Sequence, residues 1–144
     1  MQGGFDRTKS LQELEHHDWG EPTYDSYLVT TIHRLRRKPL ADFTMEDLRI
    51  MIGQQIGLAY LVPLAIERLE LNPFACGDYY VGDLLAMVLK VDEAFWLTHP
   101  DSFKRVRSVV GRLHDLLPSL DEVDRQTASE LLKRVPESWS KLGG

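Results

Sequence analysis

An all-α fold, built as one compact bundle of about seven to eight helices, is predicted by three features of the sequence. Apolar side chains recur at helical spacing along most of the chain, as at Val106, Val109, Val110, Leu113 and Leu117. Residues typical of helix starts and helix ends lie at the limits of these apolar stripes. No segment shows a convincing alternation of apolar and polar residues, which is the pattern of a half-buried strand.

Each predicted helix has boundary signals of its own. A capping-box pattern occupies residues 10–13, and a looser version occupies residues 44–47. Pro39 follows a cluster of cations, which is typical of a helix that has just ended. Pro63 is expected to break or kink the fourth helix. The predicted helices cover residues 10–17, 25–37, 44–56, 58–71, 82–90, 92–98, 101–117 and 121–134, with a further helical turn at 136–142.

A β-strand over residues 23–31 is the strongest competing prediction. This segment is rich in tyrosine, valine and threonine, which are enriched in strands. Leu28, Thr31, Ile32 and Leu35, however, lie at i, i+3, i+4 and i+7, which is the spacing of one helix face. The helical interpretation is therefore preferred.

The domain organisation follows from length and composition. A chain of 144 residues suits one domain. Its 43% hydrophobic and 27% charged residues are ordinary for a globular protein and argue against a disordered one. No internal repeat or long linker divides the sequence. We therefore predict a flexible segment over residues 1–8 and a single helical domain over residues 9–144.

Charge and targeting signals point to a cytoplasmic protein with a protein partner. The first residues do not form a secretory signal, and no apolar run approaches the about 20 residues that span a membrane. A single cysteine, Cys76, excludes an intrachain disulfide and fits a reducing compartment. The net charge of −5 disfavours direct nucleic-acid binding and suits a basic protein partner.

No recognisable catalytic motif occurs in the sequence. It has no phosphate-binding glycine loop, no serine elbow and no His-Glu-x-x-His helix. Glu13 and His16 form one Glu-x-x-His step, but a di-iron bundle needs two such steps and two further glutamates. The nearest charge to Cys76 is Asp78, and a reactive thiolate requires a positive environment. We therefore predict no catalytic residue, no metal site and no cofactor.

The basic cluster before Pro39 supports an alternative hypothesis of nucleic-acid binding. Cations at the end of a helix also stabilise the negative end of the helix dipole. The acidic total charge and the lack of a second basic stretch favour this simpler explanation. The cluster consists of Arg34, Arg36, Arg37 and Lys38.

Two loops combine aromatic rings with carboxylates, which is contact chemistry typical of a protein-binding surface. Broad rings supply contact area, and acidic groups supply orientation. Two purely structural roles remain open, because Trp19 could fill a helix junction and Asp83 could cap its helix. The candidate contact residues are Asp18, Trp19, Glu21, Tyr24 and Asp25 in the first loop, and Asp78, Tyr79, Tyr80 and Asp83 in the second.

The same stretches carry a family resemblance. Ordered segments include Asp18-Trp19-Gly20-Glu21-Pro22 and Gly77-Asp78-Tyr79-Tyr80, together with parts of residues 9–15, 26–40 and 43–54. Over roughly residues 9–97 the chain resembles the immunity proteins of contact-dependent growth inhibition (CDI) systems. The resemblance is weaker over residues 98–144.

This resemblance implies a specific activity. Such a protein resides in the cytoplasm and neutralises the C-terminal toxin domain of a large effector delivered by neighbouring sibling cells. It acts as a stoichiometric inhibitor and not as an enzyme, and the two loops would contact the toxin. Its oligomeric state stays open. The alternatives are a helical adaptor that binds a housekeeping partner, and an enzyme that uses Glu13, His16 and His17 with a metal.

Overall fold

A computed structural model describes residues 5–23 and 26–142 and confirms the all-α fold. This part of the chain contains nine α-helices, two short 3₁₀ helices and no strand. The competing strand over residues 23–31 is therefore not formed where the structure describes it. The helices are α1 (Leu11–Glu15), α2 (Tyr27–Arg36), α3 (Met45–Gly53), α4 (Leu58–Leu71), α5 (Asp83–Leu89), α6 (Glu93–Thr98), α7 (Pro100–Leu116), α8 (Glu122–Lys133) and α9 (Trp139–Leu142), and the 3₁₀ helices are Leu40–Asp42 and Leu117–Ser119.

Both predicted capping boxes are present. The Ser10 hydroxyl accepts the Glu13 N–H at 3.2 Å, and the Glu13 carboxylate accepts the Ser10 N–H at 3.0 Å. Thr44 and Asp47 repeat the exchange at 3.1 and 3.0 Å. Each box satisfies two backbone groups at a helix end, so α1 and α3 begin where the sequence predicts.

Four helix ends differ from the prediction by two or three residues. Helix α3 ends at Gly53 and not at 56, and α9 begins at Trp139 and not at 136. Helix α1 ends at Glu15, because His16 takes the left-handed conformation with φ of 53°. Helix α2 begins at Tyr27, because the Ser26 hydroxyl accepts the Val29 N–H at 3.1 Å and acts as its cap. Both changes lengthen the connection between α1 and α2.

Of the break or kink predicted at Pro63, the break is absent, since α4 runs from Leu58 to Leu71 as one helix. A proline inside a helix costs about 3 kcal/mol through the hydrogen bond it removes. Pro63 and the neighbouring residues 61–66 are all buried. Each fully buried aliphatic side chain contributes about 1.5–3 kcal/mol, which offsets the proline.

Helix α4 lies at the centre of the bundle and contacts α3, α5 and α7. The C-terminal part of the chain joins this core through an aromatic cluster of Trp96, Phe103 and Trp139. The ring of Trp139 lies 5.8 Å from that of Trp96 and 5.1 Å from that of Phe103, in edge-to-face geometry. Helices α6, α7 and α9 are thereby connected.

The first described residues contact the bundle. Arg7 donates to Glu67 at 2.8 Å, and its carbonyl accepts the Ala41 N–H at 2.8 Å. Phe5 packs edge-to-face on Tyr60, with 5.1 Å between the ring centroids. Residues 1–4 lie outside the described residues, and the flexibility of residues 1–8 stays a prediction.

Candidate protein-binding surface

The first candidate loop, the Trp19 loop (residues 16–23), is anchored by a buried cation from α2. Arg36 is only 1% exposed and forms an ion pair with Glu15. Its Nη2 atom donates to the His17 carbonyl at 2.6 Å. Its guanidinium carbon lies 4.3 Å from the centroid of the Trp19 ring. One side chain thus contacts the end of α1, the loop backbone and the loop's aromatic ring.

His33 of α2 and Arg37, which directly follows α2, hold the middle of the Trp19 loop. Arg37 donates to the Gly20 carbonyl at 2.9 Å and lies 3.3 Å from the Glu21 carboxylate. The Nδ1 atom of His33 is 3.2 Å from the same Gly20 carbonyl, and its ring packs edge-to-face on Trp19. The basic end of α2 is therefore directed largely at the loop's carbonyl groups.

The predicted residues of this loop border an open cleft of about 390 Å³. Trp19 is 42% exposed, and Asp18 and Glu21 are also exposed. Asp18 accepts the Gly20 N–H at 2.7 Å, which closes a tight local turn. The cleft is lined by His17, Asp18, Trp19, Glu21, Thr23 and His33. Tyr24 and Asp25, the other candidates of this loop, lie outside the described residues.

The second candidate loop, the Tyr79 loop (residues 77–82), is organised by a buried carboxylate. Asp83 is completely buried and accepts the N–H groups of Gly77, Tyr79 and Tyr80 at 2.7, 3.0 and 3.1 Å. It is the first residue of α5, yet its carboxylate is directed at the preceding loop and not at the helix. Asp83 therefore anchors the loop from inside and is not an exposed contact residue.

Glu46 and Arg49 of α3 complete the support of the Tyr79 loop. The Glu46 carboxylate accepts the Asp78 N–H at 2.8 Å and two hydrogen bonds from Arg49 at 2.7 and 2.6 Å. These hydrogen bonds, those from Arg49 foremost, lower the pKa of Glu46 below its ordinary value. Arg49 also lies 3.8 Å from the Asp83 carboxylate and 5.3 Å from the centroid of the Tyr79 ring.

Tyr79 and Tyr80 have different environments. Tyr79 is 73% exposed, and Asp78 beside it is also exposed. Tyr80 is half-buried, and its hydroxyl accepts a hydrogen bond of 2.6 Å from Arg134 at the end of α8. A groove of about 340 Å³ runs from Tyr80 along α8, with the exposed Val81 and Val123 on its walls. Aromatic and apolar area is thus available at this loop.

Sequence reasoning missed the residues that hold the two loops. In the sequence, Arg36 belongs to a basic cluster at a helix end, and no pattern indicates this role for Glu46 or Arg49. For Arg36 a signal existed, because it lies four residues after the buried Ile32 and so shares its helix face. For Glu46 no signal existed, since its partner Asp78 is 32 residues away.

The arrangement of the basic cluster weakens the case for nucleic-acid binding. Arg36 is buried, Arg37 donates to the Trp19 loop, and Lys38 donates to Asp47 at 2.6 Å. Arg34 is exposed. A phosphate-binding surface needs several cations directed at solvent. Most of this cluster instead forms ion pairs with the protein's own carboxylates and hydrogen bonds to its backbone carbonyls.

Over residues 5–23 and 26–142, no three His, Cys, Asp or Glu side chains converge closely enough to hold a metal ion. Within these ranges, no helix combines the length and apolar character that a bilayer crossing requires. Cys76 is a half-buried free thiol.

Comparison with known proteins places these loops in a family. A family model described as CDI immunity proteins matches residues 13–106, which is well over half of the chain. The matched segment includes the Trp19 loop, the Tyr79 loop and the residues of α2 and α3 that hold them. No curated protein matches the chain. The match confirms the resemblance seen in the sequence, and the chain belongs to the family of CDI immunity proteins.

Proposed function

We propose that this protein binds the C-terminal toxin domain of a CDI effector in the cytoplasm and neutralises it by covering its active site or an adjacent surface. The mode is stoichiometric inhibition without chemistry on the toxin. The observation that carries the proposal is the Trp19 loop, where an exposed tryptophan and two exposed carboxylates stand on an anchored backbone. Membership of the immunity family supports the same conclusion.

The affinity that protection requires is very high, because one free toxin enzyme turns over many substrate molecules. The tightest protein complexes reach dissociation constants around 10⁻¹³ M or below. Such complexes depend on a few aromatic anchors that become desolvated on binding. Trp19 and Tyr79, which are 42% and 73% exposed, provide large rings of this kind on backbones that are already ordered.

Charge supports a basic partner. The chain carries a net charge of −5, and Asp18, Glu21 and Asp78 are exposed beside the aromatic rings. Carboxylates at the edge of an interface accelerate encounter with a basic surface and orient the two proteins. A nuclease toxin, which the family resemblance suggests, would supply such a basic surface.

The test is co-purification with the toxin domain encoded immediately upstream, followed by a binding titration. We expect a one-to-one complex of nanomolar affinity or tighter, and loss of toxicity in cells. Trp19→Ala should weaken binding by about 2 kcal/mol or more, as hot-spot truncations do. The matched control is Leu71→Ala, which removes an 84% exposed side chain at the end of α4 and should leave affinity unchanged.

One result would contradict the proposed function, and another would contradict the proposed contact surface. The absence of a complex with that toxin would favour the adaptor hypothesis or a toxin encoded elsewhere. Full affinity in folded Trp19→Ala, Tyr79→Ala and Asp18→Lys variants would keep the immunity function but place the contact surface on other residues.

A further inference from the structure

We propose that Arg36 is a positioning residue, which holds the Trp19 loop in the conformation that the toxin meets. This inference rests on the proposed function for its biological meaning. The ordering of the loop by Arg36 is nevertheless a property of the free protein and can be measured without any toxin.

The geometry assigns this role to Arg36 more than to its neighbours. Its guanidinium contacts three groups within five consecutive residues: the Glu15 carboxylate, the His17 carbonyl and the Trp19 ring. These contacts point in different directions, so they fix both the path of the backbone and the plane of the indole. A planar fork with several N–H donors can satisfy them together, whereas the point charge of lysine cannot.

Packing alone is a poor explanation for this arginine. It lies on the buried face of α2, four residues after Ile32 and next to Leu35. Its Nε atom has no hydrogen-bond partner within the described residues. Burying a cation with an unsatisfied N–H opposes folding, and an apolar side chain would continue the helix face without that penalty. The contacts of Arg36 therefore stabilise the Trp19 loop, while its burial destabilises the core.

An ordered loop strengthens binding because the protein loses less conformational freedom in the complex. Arg36 contacts Trp19 from the buried side of the loop, while Trp19 is 42% exposed and available to a partner. Asp18 and Glu21 flank the indole on the same short segment, so they are placed by the same anchor. Loosening Arg36 should therefore weaken toxin binding even though Arg36 itself is inaccessible.

The chain contains a natural probe for the free protein. Trp19 is half-exposed, whereas the other two tryptophans, Trp96 and Trp139, are buried. Acrylamide quenching of tryptophan fluorescence thus reports mainly on Trp19. The same spectra recorded on Trp19→Phe variants give the emission of the two buried rings for subtraction.

The first measurement compares quenching of the wild-type protein with Arg36→Met and Arg36→Lys. Methionine keeps the length and apolar stem, and lysine keeps the charge. We expect the quenching constant of Trp19 to rise about twofold in both variants, because the ring loses its stacked guanidinium. The matched control is Arg34→Met, which removes the same charge from an exposed position of α2. Circular dichroism confirms that each variant is folded.

The second measurement is the toxin dissociation rate in a double-mutant cycle with Trp19→Ala. Arg36→Met should accelerate dissociation about tenfold in the wild-type background, and Arg36→Lys should not rescue it. In the Trp19→Ala background the same change should have less than about a twofold effect, because the ring it positions is gone. A merely structural role would produce equal effects in both backgrounds.

The outcomes distinguish the positioning role of Arg36 from the proposed toxin-binding function. Unchanged Trp19 quenching in folded Arg36→Met would overturn the positioning role whatever the toxin result. A higher quenching constant of Trp19 together with wild-type dissociation kinetics would show that loop order does not affect toxin binding. This result would also overturn the positioning role of Arg36. Failure of the wild-type protein to bind the toxin would reject the proposed function and the role in binding, while the quenching result would still decide whether Arg36 orders the loop.

Discussion

The Trp19 loop and the Tyr79 loop are both held by buried charge, but the sign of the charge is opposite. In the Trp19 loop, arginines donate to backbone carbonyls: Arg36 to that of His17 at 2.6 Å, and Arg37 to that of Gly20 at 2.9 Å. The loop backbone therefore presents its oxygens to the bundle. Arg36 is the last residue of α2, the next helix after the loop, and Arg37 directly follows it.

In the Tyr79 loop, carboxylates accept backbone N–H groups. Asp83 and Glu46 together receive the N–H groups of all four residues over 77–80, at 2.7 to 3.1 Å. The loop backbone therefore presents its donors to the bundle. One of these carboxylates belongs to α5, directly after the loop, and the other belongs to the distant α3.

This difference has a consequence for how each loop responds to its environment. Arginine side chains are effectively always protonated in proteins. Carboxylates lose their charge in acid, and with it their capacity to accept several N–H groups. The Tyr79 loop should therefore be the more sensitive of the two loops to acid and to loss of a single acceptor.

The largest expected effect comes from removing the central acceptor of the Tyr79 loop. Asp83→Ala leaves three N–H groups without their partner and should lower the free energy of unfolding by about 2–4 kcal/mol. Asp83→Asn keeps one carbonyl oxygen and should have a smaller effect. Urea unfolding measures both. The control Asp92→Ala removes an exposed aspartate that makes no capping hydrogen bond and should change stability by less than about 0.5 kcal/mol.

Equal stability of Asp83→Ala and the wild-type protein would show that water replaces this acceptor without loss. The two loops would then differ in geometry but not in energetics.

The second prediction uses three glycines that differ in surroundings. A Cβ atom at Gly77 would lie 2.8 Å from the backbone of Glu46. Gly77→Ala should therefore lower the free energy of unfolding by about 1–3 kcal/mol, because the loop must move away from α3. Gly20 has open space but a φ of +73°, so Gly20→Ala should cost about 1 kcal/mol through strain alone. Gly111 is open and helical, so Gly111→Ala should stabilise by about 1 kcal/mol.

Thermal unfolding of the three variants gives the order of their stability changes. A larger loss for Gly20→Ala than for Gly77→Ala would show that backbone strain at Gly20 outweighs the contact of a Cβ atom at Gly77 with α3.

The third prediction concerns pH. Hydrogen bonds from Arg49 hold the pKa of Glu46 below the ordinary glutamate value of 4.5. A lowered folded-state pKa means that the contribution to stability is complete above the unfolded value and is lost as pH falls through the folded value. The stability difference between wild-type protein and Glu46→Gln should therefore be constant near neutral pH and shrink below about pH 4.5.

The difference is the quantity to measure, because Glu67 also has a lowered pKa, through Arg7, and contributes to the acid response of every variant. Denaturant unfolding of both proteins between pH 7 and pH 3 provides it. A difference independent of pH over this range would show that the Glu46 charge does not hold the loop.

The smallest expected effect is that of an exposed ion pair. Glu21 lies 3.3 Å from Arg37, and its side chain is 83% exposed. Glu21→Gln should change stability by less than about 0.5 kcal/mol, as exposed pairs do. It should nonetheless slow toxin association at low salt, since surface charges act on encounter. Stopped-flow mixing at two salt concentrations tests this, and a stability loss above about 1 kcal/mol would show a structural role for this pair.

The amino-acid sequence alone determined most of the helices, the all-α class and the family, because these depend on local signals. Apolar spacing and the capping boxes at Ser10 and Thr44 act within a few residues, so they are readable without a fold. The predicted resemblance over residues 9–97 agrees with the matched segment 13–106 for the same reason.

Only the tertiary structure decided which polar residues turn inward. Asp83 looks like a surface residue in the sequence, and for Arg36 the spacing from Ile32 indicates only the buried helix face and not the groups that it contacts. Both side chains are buried against backbone groups of loops. Glu46 receives the Asp78 N–H across 32 residues of sequence. A hydrogen bond depends on distance in space, and no local pattern encodes which distant carbonyl or N–H a side chain will meet once the helices have packed.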